Sequence, residues 1–102
     1  MKFIVIERVK DVASQDSTKF MKHAAEDLKY KVKLQKEGKI VGGGPYLDIL
    51  ADCYILETKT IEEMGEIFFN SPGNFMVDRE VHPIGSFEDS LEGMKEMMGG
   101  RK

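Results

Sequence analysis

Residues 3–9 read FIVIERV, and this short stretch decides the fold. β-Branched side chains favour extended backbone, so the run predicts a strand. Side chains alternate along a strand, which places Phe3 and Val5 on one face and Ile4 and Ile6 on the other. Both faces are therefore largely apolar, and a strand of this kind belongs to a sheet that is covered on both sides.

A long amphipathic helix follows this strand. Ser17 is the predicted N-cap, the helix runs from about Thr18 to Glu37, and Gly38 ends it. One stripe of side chains is apolar and is the expected core face: Met21, Ala25, Leu28 and Val32. A second stripe lies on a different side of the helix and mixes aromatic, apolar and titratable residues: Phe20, His23, Asp27, Tyr30 and Leu34.

The remaining segments complete a known arrangement. Residues 39–47 and 49–58 are predicted as strands, and a capping box (Thr60 to Glu63) opens a helix that ends near Asn70. Residues 75–84 alternate as a last strand, and Ser86 caps a terminal helix. The order β-α-β-β-α-β predicts an α+β, ferredoxin-like fold with a four-stranded antiparallel sheet plus a C-terminal helix, as one domain over residues 1–102. Both main helices would cover one sheet face, so we expect a second copy of the chain to cover the other.

Composition excludes several classes of function. The net charge of -3 and the pI near 5.4 give no basic surface for nucleic acid. No apolar run is long enough to span a membrane. Cys53 is the single cysteine, and no Cys/His cluster has the spacing of metal ligands, so we expect no metal or cofactor and a cytoplasmic location.

The terminal helix carries its own apolar stripe. Phe87, Leu91, Met94 and Met98 follow one another at i, i+4, i+7 and i+11. The polar side is mainly acidic, which is the wrong sign for anionic lipid. The stripe therefore predicts a packing or subunit contact.

Residues 38–46 read GKIVGGGPY, with three consecutive glycines. A phosphate-binding loop places its glycines after a strand and before a helix, whereas these follow a helix and lead into a strand. We expect Gly43 and Gly44 to lie in or at the end of the second strand, where they form a bulge or leave room above the sheet. The alternative is a flexible turn without a role. Gly43, Gly44 and Tyr46 are candidate substrate contacts.

The segments LQKEGKIVGGGP (34–45) and NSPGNFMVDREVHPI (70–84) resemble two groups of the dimeric α/β-barrel superfamily. EGKIVGGGP is similar to a motif of YciI-like proteins, while KLQKEGK and DREVHP are more similar to muconolactone Δ-isomerase. The resemblance covers residues 2–84. It implies a ferredoxin-like protomer whose sheet pairs with that of a second protomer in a homodimer or larger homo-oligomer.

The chain also departs from both groups. Alignment on Glu37 and Gly38 places Asp27 at a helix position that carries a histidine in YciI-like proteins, and His23 lies one turn earlier. Glycines replace the aromatic and arginine-rich stretch that follows the first helix in muconolactone isomerase. The resemblance therefore implies the fold and not a particular substrate.

His23 and Asp27 are the candidate catalytic pair. Residues four apart on a helix can touch, and a carboxylate would orient the imidazole and favour its protonated form. Such a pair can move a proton alpha to a carbonyl, and Tyr30, nearly one turn further along, could donate to the developing oxyanion. The alternative is an ordinary surface ion pair.

Glu80 and His82 are candidate substrate-binding residues on the last strand. They share a face with Asp78, and an enclosed face would shift their pKa values, whereas a solvent-facing one would leave them as ordinary exterior groups.

The sequence thus predicts a protein that binds a small organic, carbonyl-bearing molecule. If it is an enzyme, the predicted class is a cofactor-independent isomerase. A cofactor-free monooxygenase and a non-catalytic binding or assembly module are the alternatives.

Overall fold

The computed structural model describes residues 1–10 and 17–99. A short 3-10 turn, Asn74–Met76, precedes the last strand. The other elements, in chain order, are β1 (Lys2–Val9), α1 (Ser17–Lys36), β2 (Ile40–Pro45), β3 (Ala51–Glu57), α2 (Ile61–Phe69), β4 (Val77–Ile84) and α3 (Phe87–Gly99). Most of the polar connection expected at residues 10–16 lies outside the described residues.

The four strands form one antiparallel sheet in the order β2-β3-β1-β4. Val5 of β1 lies opposite Tyr54 of β3 and Val81 of β4. With α1 and α2 connecting the strands, this order is the ferredoxin-like arrangement, and the predicted fold class is confirmed.

Side chains from one face of the sheet form the core with α1 and α2. Val5 and Leu56 are fully buried, and each such burial contributes roughly 1.5–3 kcal/mol. The buried cluster consists of Phe3, Val5, Leu34, Ile40, Tyr54, Leu56 and Ile67.

Local signals at the helix ends act as the sequence indicates. The Thr60 hydroxyl accepts a hydrogen bond from the Glu63 amide (N to Oγ1 3.1 Å) at the start of α2. The Ser86 hydroxyl caps α3 in the same way through Asp89 (3.0 Å). Gly38, with φ of 77°, ends α1 in the left-handed region that glycine adopts without strain.

The sequence predicts that the apolar stripe of α1 faces the sheet, and this prediction is wrong. Leu28 and Val32 point outward and are 53% and 48% exposed, whereas Asp27 and Leu34 are buried. The buried carboxylate has hydrogen-bond and ion-pair partners, which removes the usual penalty for burying a charge. We call the exposed apolar side of α1 the outer stripe; its members are Met21, Ala25, Leu28 and Val32.

The sheet face away from the helices carries a second apolar surface. Ile4, Ile6, Cys53 and Ile55 lie on this face and are half-buried in the protomer. We call it the uncovered face. Nothing in the described protomer covers it as α1 and α2 cover the other face.

Helix α3 extends away from the rest of the protomer. None of its described side chains is buried, and Phe87 is 94% exposed. The molecule is correspondingly elongated, at 65 × 26 × 21 Å. We call the apolar side of this helix the α3 stripe: Phe87, Leu91, Met94 and Met98. No described helix is both long and apolar enough to cross a bilayer.

Candidate functional site

Lys31 lies at the centre of a group of charged residues between α1 and the sheet. Its Nζ atom is 2.6 Å from Glu7 Oε1, 2.6 Å from Asp52 Oδ2 and 2.8 Å from Asp27 Oδ2. The ammonium group has three protons, so three carboxylates from β1, β3 and α1 use all of its donors.

Arg79 and Tyr54 extend this group across the sheet. Arg79 Nε donates to Glu7 Oε2 at 2.6 Å, and the Tyr54 hydroxyl donates to the same oxygen at 3.2 Å. The Arg79 guanidinium also lies 4.2 Å from the ring centroid of Phe68 on α2. We call the whole set the Lys31 cluster: Glu7, Asp27, Lys31, Asp52, Tyr54 and Arg79.

The strand register explains why these residues meet. Glu7 lies directly opposite Asp52 on β3 and Arg79 on β4. The three residues therefore form a row across three adjacent strands, on the face that α1 covers.

Asp27 connects the cluster to the loop after α2. Its Oδ1 atom accepts hydrogen bonds from the Ser71 hydroxyl (2.5 Å) and the Gly73 amide (3.1 Å), while Oδ2 contacts Lys31. A Cβ atom at Gly73 would lie 2.9 Å from Asp27 Cγ, so glycine allows this close approach.

Electrostatics fix the charge states of most of the cluster. Burial disfavours the charged forms, but Lys31 outweighs it and holds the pKa values of Glu7 and Asp27 below their usual range. Burial likewise opposes the charge on Lys31, yet the surrounding carboxylates raise its pKa. Burial and the nearby Glu7 carboxylate raise the pKa of Tyr54, so the phenol stays protonated.

Asp52 is the exception among the three carboxylates. Burial and the neighbouring Glu7 charge raise the pKa of Asp52 to about 6, although Lys31 opposes the shift. The cluster holds three carboxylates and two cations, so one acid lacks a full counter-charge. The Oδ1 atom of Asp52 is buried and has no hydrogen-bond partner among the described residues. A carboxylate with a pKa near neutrality suits a general base.

Asp52 and Lys31 also line a pocket between α1 and the sheet. The pocket has a volume of about 120 Å³, and its walls are mostly apolar. Leu28 and Val32 of the outer stripe form one wall, and Tyr54 and Ile40 belong to the core below. We call this cavity the α1 pocket.

The glycine run forms the strand side of the α1 pocket. The pairing register shifts between Ile40 and Gly42, as in a β-bulge, and Gly43 has φ of 101°. A Cβ atom at Gly43 would lie 2.1 Å from the Cys53 carbonyl oxygen, so only glycine fits there. Gly44 lines the same pocket, with open space around a Cβ atom. The glycines thus lie in the second strand, as the sequence indicates.

The structure does not bring His23 and Asp27 together. The His23 ring packs edge-on against Phe75, with centroids 4.9 Å apart, and its Nδ1 atom is 3.9 Å from Glu26 Oε2. Asp27 points to Lys31 instead, because the lysine ammonium lies one turn further along the same face. The expected contact is therefore absent, and a catalytic role for His23 stays a prediction.

The two candidate tyrosines lie in different surroundings. The Tyr30 hydroxyl donates to the Ile67 carbonyl oxygen at 2.9 Å and ties α1 to α2. Burial and the Asp27 charge raise the pKa of Tyr30. Tyr46 follows β2, half-buried, and its amide donates to the Ala51 carbonyl oxygen. Neither residue lines the α1 pocket.

Glu80 and His82 lie on the uncovered face of the sheet. Their side chains are exposed and contact each other, with His82 Nε2 2.6 Å from Glu80 Oε2. They lie opposite Ile6 and Ile4 of β1, on the side of the sheet away from the α1 pocket. In the protomer this pair faces solvent.

Sequence reasoning missed most of the Lys31 cluster, although a signal was present. Glu7 and Arg79 each stand as the single charge on an otherwise apolar strand face. Opposite charges at core-facing positions of strands that pair in the fold indicate a buried ion pair. Across residues 1–10 and 17–99, no group of His, Cys, Asp and Glu side chains is arranged to hold a metal ion.

The fold places this chain with small ferredoxin-like proteins whose structures are known. Muconolactone isomerase superposes with a TM-score of 0.78 at 21% identity, covering 89% of this chain and 95% of that one. A 5-chloro-2-hydroxyhydroquinone dehydrochlorinase from Burkholderia phenoliruptrix AC1100, solved with 2,5-dihydroxybenzoquinone, gives 0.67 at 20% identity, covering 87% and 98%. These likenesses confirm the ferredoxin-like fold that the sequence resemblance implies. Neither protein-family models nor curated protein sequences match the chain.

Proposed function

We propose that this protein binds a small, carbonyl-bearing organic molecule in the α1 pocket and catalyses a cofactor-independent isomerisation there. The supporting observation is the position of Asp52, a carboxylate with a pKa of about 6 in the wall of a mostly apolar cavity. Ligand sites in proteins are commonly concave and apolar, with a few convergent polar groups.

Asp52 would act as the acid/base group. Its ionised carboxylate removes a proton from the carbon alpha to the carbonyl, and the electron pair moves onto the carbonyl oxygen as an enolate. As Asp52 takes up the proton its hold on Lys31 weakens, and Lys31, in the same wall, would then turn one N–H to the enolate oxygen. Asp52 then returns the proton to another carbon of the conjugated system, so the reaction needs no co-reactant.

The remaining cluster residues would position this pair. Glu7 and Asp27 hold the Lys31 ammonium, and Arg79 balances the charge of Glu7. Buried charges that are held by several short contacts have a fixed geometry, which proton transfer requires.

Hydrogen exchange with solvent tests this proposal directly. Small lactones and keto acids are incubated with the protein in D₂O, and deuterium uptake at the alpha carbon is followed by mass spectrometry. Asp52→Asn should slow the exchange by about 10²-fold or more. Asp78→Asn, a change at an aspartate whose side chain is 80% exposed on the other face, should leave it unaltered. Equal rates for wild type and Asp52→Asn would contradict the proposal.

His23→Ala separates this assignment from the sequence-based one. The His23 imidazole lies against Phe75 and does not line the α1 pocket, so we expect the exchange rate to be retained. Loss of exchange in His23→Ala, with retention in Asp52→Asn, would restore the His23 and Asp27 hypothesis.

Quinone-like compounds belong in the same panel, because a structural neighbour was solved with 2,5-dihydroxybenzoquinone. Oxygen consumption with quinols would favour the cofactor-free monooxygenase. Binding in the α1 pocket without exchange or oxygen uptake would favour a non-catalytic binding module.

We further propose a cytoplasmic homodimer in which the uncovered faces of two sheets pack together. Ile4, Ile6 and Ile55 would then lose the water contact that they have in the protomer. Ile6→Glu should lower the molar mass measured by light scattering, whereas Phe69→Glu, at an exposed position of α2, should not. An unchanged mass for Ile6→Glu would contradict this dimer.

A further inference from the structure

The charges of the Lys31 cluster do not balance. The Lys31 ammonium has three carboxylate neighbours, with N–O distances of 2.6, 2.8 and 2.6 Å: Glu7, Asp27 and Asp52. Arg79 contacts Glu7 at 2.6 Å and is the second cation. With all of these groups ionised, the cluster carries one negative charge in excess. Because the groups are largely buried, water and salt screen that excess only weakly.

Among the described residues that line the α1 pocket, none is a free cation. Lys31 is the one basic residue in this lining, and in the resting site its three N–H groups are used by the three carboxylates. Tyr54 also lines the pocket, but its hydroxyl donates to Glu7. Gln35 supplies an exposed, uncharged amide. A carboxylate bound in this pocket would therefore lose water without gaining a counter-charge.

The proposed proton transfer keeps the charge of the site constant when the substrate is neutral. Asp52 loses its negative charge as it takes up the proton, and the enolate gains one. The excess therefore stays at one negative charge throughout the reaction. A substrate with its own carboxylate would raise the excess to two, in a mostly apolar cavity of about 120 Å³.

We infer that the α1 pocket selects neutral carbonyl compounds, such as lactones and cyclic ketones, and rejects those that carry a carboxylate. The inference rests on the proposed function for the presence of a ligand in this pocket, but not for the reaction, because charge acts on binding itself. Two like charges about 6 Å apart, at an effective dielectric constant of about 20, repel enough to weaken binding about 10²-fold. Salt reduces this effect, so we expect a preference of at least about tenfold.

Binding of two ketones of the same shape tests the inference. Cyclopentanone with a carboxylate at the carbon beta to the ketone is compared with its primary carboxamide, at about pH 8, where Asp52 is ionised. We expect the carboxamide to bind at least about tenfold more tightly in titrations followed by ligand-observed NMR. Equal or tighter binding of the carboxylate would overturn the inference, even if exchange at the alpha carbon proceeds as proposed. Binding of neither compound would contradict the ligand site itself, and this inference with it.

Asp52→Asn tests whether the excess charge causes the preference. The substitution keeps the shape of the side chain and removes one negative charge from the pocket wall. The affinity for the carboxylate should rise at least about tenfold, while the affinity for the carboxamide should change by less than about threefold. Asp78→Asn removes the same charge from the other sheet face and should leave both affinities unchanged. An unaltered preference in Asp52→Asn would overturn the inference.

Gln35→Arg tests the missing cation independently. Gln35 is exposed and lines the pocket, so the new guanidinium would supply the counter-charge without disturbing the core. The carboxylate should then bind at least about tenfold more tightly than it binds to the wild type. Gln35→Met, an uncharged change at the same position, should leave the carboxylate affinity within about threefold of wild type. No gain in carboxylate binding for Gln35→Arg would also overturn the inference, whatever the outcome of the exchange assay.

Discussion

The two sides of α1 reverse the usual distribution of residues in a helix. The side that packs on the sheet carries Asp27 and the charged end of Lys31, while the side that faces solvent carries Leu28 and Val32. The inner side is stable because every charge there has a partner of opposite sign. The outer side is apolar where Leu28 and Val32 form one wall of the α1 pocket. Burial in this helix follows the supply of partners and not hydrophobicity alone.

The largest loss of stability should come from removing the cation at the centre of the Lys31 cluster. Lys31→Met would leave three carboxylates close together without their shared cation, and we expect a loss of about 3–5 kcal/mol in the free energy of unfolding. Urea unfolding measures this loss. Lys33→Met, at an exposed position of the same helix, is the control and should change the stability by less than about 0.5 kcal/mol.

The pH dependence of stability should reveal the unbalanced acid. The folded-state pKa of Asp52 lies near 6, above its usual 3.8, so the folded protein binds this proton more tightly than the unfolded chain does. The Asp52 contribution to the free energy of unfolding therefore falls as the pH rises from about 4 to about 6, by roughly 2–3 kcal/mol.

Glu7 and Asp27 contribute in the opposite direction. Their pKa values are lowered in the fold, so their contribution is present above the unfolded values of 4.5 and 3.8 and is lost as the pH falls below them. Comparing unfolding curves of wild type and Asp52→Asn from pH 4 to 7 isolates the contribution of Asp52 to the free energy of unfolding. Asp78→Asn serves as the control. Identical pH profiles for wild type and Asp52→Asn would contradict the raised pKa.

A smaller loss of stability should follow from removing the hydrogen bond that joins α1 to α2. Tyr30→Phe removes the hydrogen bond to the Ile67 carbonyl oxygen and keeps the ring, so we expect a loss of about 1 kcal/mol. Tyr46→Phe, whose hydroxyl has no described tie to α2, should cost less. Equal losses in urea unfolding would show that the contact between the two helices is not what Tyr30 contributes.

The smallest effect on folding should come from the outer stripe. Leu28→Ser with Val32→Ser should change the free energy of unfolding of the dilute protomer by less than about 0.5 kcal/mol, because both side chains are half exposed there. Urea unfolding of the dilute double variant measures this change. A loss of several kcal/mol in the dilute protein would show that the stripe packs within its own protomer.

Much of the fold could be predicted because its signals are local. The β-branched run of residues 3–9, the Thr60 cap and the left-handed Gly38 each report on a few neighbouring residues. The Lys31 cluster depends instead on the register of three strands, which joins Glu7 to residues 45 and 72 positions further along the chain. No local pattern contains that register, so helix spacing alone predicts a contact between Asp27 and His23 and not between Asp27 and Lys31.

The uncovered face of the sheet includes the single sulfhydryl of the chain. Cys53 lies half-buried there, opposite Ile6. If two sheets meet on that face, thiol-specific reagents should label the protein readily when it is dilute and slowly when it is concentrated. The native sequence thus supplies a reporter of its own assembly, on the sheet face opposite the α1 pocket.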